Sequence, residues 1–211
     1  MSETDSFIEE VTEEVRRDRL FRLFRKYGWI AVLAVLLLVG GAAWNEYRKA
    51  SARAAAEALG DALLAAPDSA AIARIDADGA AAQAIVDMAH ARALAAEGDT
   101  ASAVKLLQAV ASREGVGQIY SDLAKLKALI LQGSDMAPEA RIAALKPLAA
   151  PGAPFQSLAL EQQALAEVAA GRKDDAVATL RELMNAAATT PGLRQRASQM
   201  IVALGKDPAA S

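Results

Sequence analysis

The chain has 211 residues with 23 Lys and Arg against 26 Asp and Glu, a net charge of -3, so no general basic field is present to hold nucleic acid. It has no Cys, which excludes disulfides, thiolate zinc sites, thiol catalysis and iron–sulfur clusters, and a single His, His90, which excludes any site built on two imidazoles. Hydrophobic residues reach 54% while aromatics are 4%, a surplus made mostly of Ala, and Gly and Pro are too few for many strands and tight turns. An all-α protein with little catalytic equipment is expected.

Residues 1–26 read as a short charged tail. Its acids come first (Glu3, Asp5, Glu9, Glu10, Glu13, Glu14) and its bases last, the order that suits a helix dipole. Ser6 with Glu9 forms a candidate capping box, and Phe7, Val11 and Val15 fall on one helical stripe. Leu20, Phe21, Leu23 and Phe24 among arginines suit an interfacial lead-in. The tail is either a docking segment for a cytoplasmic partner or simply the lead-in and topology determinant.

No residue from Tyr27 to Asn45 is charged. At about 1.5 Å per residue this run is roughly 28 Å long, close to the hydrocarbon thickness of a bilayer. Tyr27 and Trp29 frame one end, Trp44 and Tyr47 the other, as expected where rings meet headgroups. A transmembrane helix over 27–45 is therefore expected, in contact with membrane lipid. Arg16, Arg17, Arg19, Arg22, Arg25 and Lys26 precede it, whereas Arg48, Lys49 and Arg53 follow, which places the N-terminus in the cytoplasm and the remainder outside. In a bacterium that is a cell inner-membrane protein with a periplasmic domain. Gly41-Ala42-Ala43 resembles a cleavage site, but the long lead-in and long apolar run favour an uncleaved anchor.

Six basic and seven acidic residues precede residue 46, leaving 17 and 19 beyond it, so the outer part is nearly neutral. Residues 46–78 read as a helical connector, the membrane helix continuing through Ala66 and stopping before Pro67. Over 79–211, helices are expected at 79–97, 100–113, 117–132, 138–149, 154–170, 173–188 and 191–205. EGDTASAVKLLQAV at 97–110 matches AGRKDDAVATLREL at 170–183. Gly98 aligns with Gly171, Ala103 with Ala176, Val104 with Val177, Leu107 with Leu180, and Val110 with Leu183. Gly133 marks a third copy, where Ile142, Leu145 and Leu148 repeat the apolar triple; an insertion lies around Asp135–Pro138, and Arg141 stands where the other copies have Ala. A helix–turn–helix period near 34 is the tetratricopeptide signature, although its usual aromatic positions are unfilled. An ordinary helical bundle is the competing reading.

The segment FRKYGWIAVLAVLLLVGGAAWNEYRKASARAAAEAL followed by the repeats at 84–183 resembles the ancillary SecYEG translocon subunit family. The resemblance implies a single-pass inner-membrane protein whose periplasmic repeats assist exported polypeptides beside the Sec translocon and a membrane-anchored periplasmic chaperone. It implies no catalytic residue and no cofactor. A periplasmic adaptor for cell-envelope assembly or cell division is the alternative.

His90 has no ligand partners in the sequence, and Asp174-Asp175 reads as helix capping rather than a catalytic pair. No P-loop, nucleotide fingerprint or nucleophile elbow is present. A binding face is the stronger candidate. Counting six, ten and thirteen residues back from each marker glycine gives Arg92, Lys127 and Leu165; Met88, Leu123 and Glu161; and Ile85, Tyr120 and Leu158. These nine residues are the expected peptide-binding groove.

Overall fold

The computed structural model describes the backbone of residues 3–208 and, within it, the side chains from residue 25 onward except that of residue 31. The expected Ser6–Glu9 cap and the Phe7, Val11 and Val15 stripe lie outside the described side chains. All regular structure among the described residues is helical. Contacts divide the chain into two compact units, Met1–Gly60 and Asp61–Ser211.

The first unit consists of helix α1, which spans Glu3–Ala65 and so ends just beyond the unit boundary, two residues before Pro67. Among the described residues it is the one helix long and apolar enough to cross a membrane, and none of its apolar window is buried. Val32, Leu36 and Leu38 are all more than half exposed. The framing aromatics are engaged at both ends. The Lys26 ammonium lies 5.4 Å from the Tyr27 ring centroid, and the Trp44 and Tyr47 rings are 6.2 Å apart and tilted.

The second unit contains a short helix, α2 (Ser69–Ile72), within the stretch expected to be connector. Asp68 caps it by accepting a bond from the Ala71 N–H. Ser69 and Ile72 are buried, so this part of 46–78 belongs with the helical stack. Glu97 accepts bonds from both the Ser69 N–H (2.9 Å) and its hydroxyl (2.6 Å). The Ser69 hydroxyl, then its N–H, hold the Glu97 pKa below the ordinary 4.5. A depressed carboxylate pKa contributes stability that is fully present above the unfolded value and lost as pH falls through the folded one. Protection of the 69–72 amides against hydrogen exchange should therefore fall on acidification below about pH 5. Glu97→Gln should remove most of that pH dependence.

Seven further helices follow: α3 (Ala80–Ala96), α4 (Thr100–Ser112), α5 (Gln118–Gln132), α6 (Pro138–Leu145), α7 (Gln156–Ala169), α8 (Lys173–Asn185) and α9 (Pro191–Ala203). Each packs on its chain neighbour, and α3 also touches α5. Two hydrophobic clusters share α5. Ala124 and Ala128 face α3 and α4, whereas Leu126 and Leu129 join the cluster built from α6 to α9.

The turns after α3 and α7 are alike. Gly98 and Gly171 have φ of 91° and 78°. The Asp99 N–H reaches back to the Leu94 carbonyl, and the Arg172 N–H to that of Glu167. These are Schellman closures, in which a left-handed residue lets the chain satisfy orphan carbonyls. A third, at Gly205, closes α9 through the Lys206 N–H to the Ile201 carbonyl. Nothing lies within 4 Å of a Cβ added at Gly98 or Gly171, so the requirement for glycine is conformational rather than steric. Gly98→Ala and Gly171→Ala should each cost about 1–2 kcal/mol, read by denaturant unfolding.

The equivalence extends past these turns. Ala103 and Ala176 are both fully buried, as are Leu107, Val110, Leu180 and Leu183, while Val104 is half-buried. The middle copy departs. Gly133 has φ 47° and ψ -120° and leads into a 3-10 turn over Gly133–Asp135. Helix α6 has eight residues and stops at Leu145, before Pro147, so Leu148 of the apolar triple lies beyond it, although still buried. Arg141 is buried where the other copies have Ala, and it donates to the Gln162 amide oxygen at 2.6 Å. Desolvation lowers its pKa.

Candidate functional site: an apolar pocket with two unpaired cations

The turn at Gly98 lays α4 beside α3, and the chain then turns through Gly115, φ 76°, to bring α5 back against both. Small residues hold the three helices close: Ala84, Ala91, Ala103 and Ala124 are fully buried. Nearer the C-terminal ends of α3 and α5 this packing leaves a pocket of about 170 Å³. Met88, Arg92 and Ala95 of α3, Leu107 of α4, and Lys127, Ile130 and Leu131 of α5 line it. Met88 and Leu107 are buried and form its inner side. Arg92 and Ile130 are exposed at its edge, and Lys127 is half-buried.

The helical neighbours of the two cations offer them no partner. Residues three and four positions from Arg92 are Met88, Ala89, Ala95 and Ala96; those from Lys127 are Leu123, Ala124, Ile130 and Leu131. Neither cation has a carboxylate on its own face. Among the described residues neither side chain forms an ion pair or hydrogen bond. The contrast is Lys125, two residues from Lys127 and so on the opposite side of α5, which pairs with Asp122 at 3.4 Å.

Of the nine residues counted from the marker glycines, the structure brings Met88, Arg92 and Lys127 into this pocket. Tyr120 and Leu123 are half-buried against the same cluster. Ile85 and Leu165 are exposed. Leu158 lines a second depression of about 250 Å³, with Phe155, Leu193 and Arg196 among its neighbours. Glu161 accepts bonds from Arg196 of α9 at 2.8 and 3.2 Å, which raises the Arg196 pKa. The nine thus do not form one groove: three line the first pocket, one the second, and the rest pack on the cluster, pair with Arg196 or are exposed. The sequence count missed Ala95 and Ile130, although both stand three residues before a marker glycine, one further helical turn along the same face.

The other candidate groups have structural surroundings. His90 is half-buried on α3. Among the described residues no group of three or more His, Asp and Glu is placed to hold a metal. Asp174 and Asp175 do not cap α8 as expected; the N-cap is Arg172, with no side-chain bond. They occupy the first turn, where their charge suits the helix dipole. Asp174 pairs with Lys206 at 2.9 Å, and that contact lowers its pKa.

No family model matches the chain, and no curated protein or solved structure matches it at a significant level.

Proposed function

We propose that the chain is a membrane-anchored, non-enzymatic protein-binding scaffold. In this reading α1 crosses the bacterial inner membrane with its N-terminus in the cytoplasm. The second unit is a degenerate tetratricopeptide-like stack in the periplasm, acting as an ancillary subunit of the Sec translocon with exported polypeptides and a membrane-anchored chaperone as partners. One observation carries the proposal: an uncovered apolar helix, framed by engaged aromatics, precedes a helical unit whose apolar pocket carries two unpaired cations. The first feature suits lipid and the second suits a polypeptide. The paired Schellman turns and the matched buried Ala103 and Ala176 support the repeat reading. The resemblance of the span and connector supports the translocon as partner.

The test is photo-crosslinking in intact membranes from Ile130 and, separately, Ala95, each replaced by a photoreactive residue in the full chain. Crosslinks to translocon subunits or to a chain in export are expected. Crosslinks confined to envelope-assembly or division proteins would replace this reading with the adaptor alternative. A phosphatase fused after Ser211 should be active, and the mature chain should begin at Met1 or Ser2. A mature N-terminus at Trp44 would remove the anchor from the proposal.

A further inference from the structure

The pocket's dimensions and charge specify its occupant more closely than the scaffold reading does. About 170 Å³ is room for one large apolar side chain, since a cavity of about 150 Å³ holds benzene. It is too small for an acyl chain. Its apolar lining offers little to a polar side chain, apart from the cations at its edge. Arg92 and Lys127 come from different helices, α3 and α5, and meet at one pocket. With no internal carboxylate for either, the charge is left for a partner. The second depression differs here, because its Arg196 is already held by Glu161.

We propose that the pocket between α3, α4 and α5 takes an acidic peptide segment carrying one Leu-, Met- or Phe-sized side chain. The apolar side chain enters against Met88 and Leu107. Carboxylates on either side of it pair with Arg92 and Lys127, which fix the direction and register of the segment. The apolar contact contributes affinity, while the charges contribute orientation, on-rate and discrimination against basic segments. This inference rests on the scaffold reading and adds a ligand class to it.

The test uses the full chain in uncharged detergent micelles and fluorescein-labelled peptides followed by anisotropy. The probe is Gly-Ser-Glu-Glu-Leu-Glu-Glu-Ser-Gly; one control replaces every Glu by Lys, and another replaces Leu by Ser. The acidic, Leu-bearing peptide should bind at least about tenfold more tightly than either control. Arg92→Gln with Lys127→Gln should weaken it about tenfold, the scale of two partly exposed charge pairs. Binding should also weaken between 50 and 300 mM salt, values chosen to shorten the screening length from roughly 14 to 6 Å. Both substituted positions are outside the fully buried core, and circular dichroism checks that the helix content is kept. Ile130→Ser offers an independent probe of the apolar side and should weaken the Leu peptide while leaving the Ser control unchanged. Equal affinity for the Glu and Lys peptides, or an unchanged affinity in the folded double variant, overturns the proposal. So does binding of anionic lipid vesicles, lost in the double variant, with no peptide binding. If translocon crosslinks from Ile130 persist in the double variant while peptide binding was never seen, the scaffold reading stands and this ligand assignment falls.

Discussion

Replacing Leu180 by Ala should lower the unfolding free energy of the second unit by about 2–5 kcal/mol. Leu180 is fully buried in the cluster that gathers Leu126, Leu145, Leu160, Leu183 and Ile201 from five helices. Removing its isobutyl group loses the transfer free energy of those atoms and leaves a cavity that close-packed neighbours fill only in part. The site also lies away from the α3–α5 pocket, so the variant separates stability from peptide binding, which Leu107→Ala would confound because Leu107 lines that pocket. For a chain of this size each kcal/mol shifts the melting temperature by about 2–4 °C. Pulse proteolysis across a urea series reads the change without relying on the helical signal of α1. Val202→Ala is the control: Val202 is 60% exposed on α9, and its truncation should stay within about 0.5 kcal/mol. A change below that limit for Leu180→Ala would mean that the α8 register is wrong.

The two positions also show how far local sequence carries. Leu180 and Val202 both sit in amphipathic runs, yet the match of 170–183 to 97–110 marks the former as interior, and the structure buries it. Helices α3 to α9 were legible for the same reason: apolar residues recur at helical spacing, and Gly98 and Gly171 stand where each run stops. Errors fall where tertiary contacts override local pattern. Helix α2 has only four residues and exists because Asp68 caps it and Glu97, 28 residues from Ser69, holds it. Helix α6 ends four residues before the expected 149, because Leu148 and Ala149 have helical spacing but are buried by a turn around Pro147. Gly133 resembles the other marker glycines in sequence, but the 3-10 turn after it lengthens the connection to α6. On α3 and α5 the count includes Met88, Arg92 and Lys127, which line one pocket, whereas none of its α7 residues lies there. On α7 the Glu161–Arg196 pair, 35 residues apart, depends on how α9 docks, which periodicity does not encode. Arg92 and Lys127 have no Asp or Glu three or four positions away, but nor does Arg196, so their unpaired state also depends on how the helices dock.

Two aspartates at the middle of the apolar span, Leu36→Asp with Leu37→Asp, should abolish stable membrane insertion. Residue 36 is the midpoint of 27–45, where a charged residue is most costly. Each Asp adds about 2.5–3.5 kcal/mol and removes a leucine's contribution of about -0.3 to -0.6, so the pair costs roughly 6–8 kcal/mol. The eight large aliphatic residues of the wild-type span supply only a few kcal/mol on the same scale, so the sign of insertion should reverse. Like charges on adjacent residues offer no mutual ion pairing. Described leucines here are exposed, Leu36 by 64% and Leu37 by 68%, so the substitution breaks no internal packing of the first unit. A membrane role predicts that wild type stays in the pellet after alkaline carbonate extraction while the double variant moves to the supernatant. Leu64→Asp, at a residue 87% exposed and well past Asn45, should remain with the pellet. If the double variant is extracted no more readily than wild type, α1 is not held by its apolar span, and the anchor would have to be sought in the charged lead-in before Tyr27 or in a membrane partner.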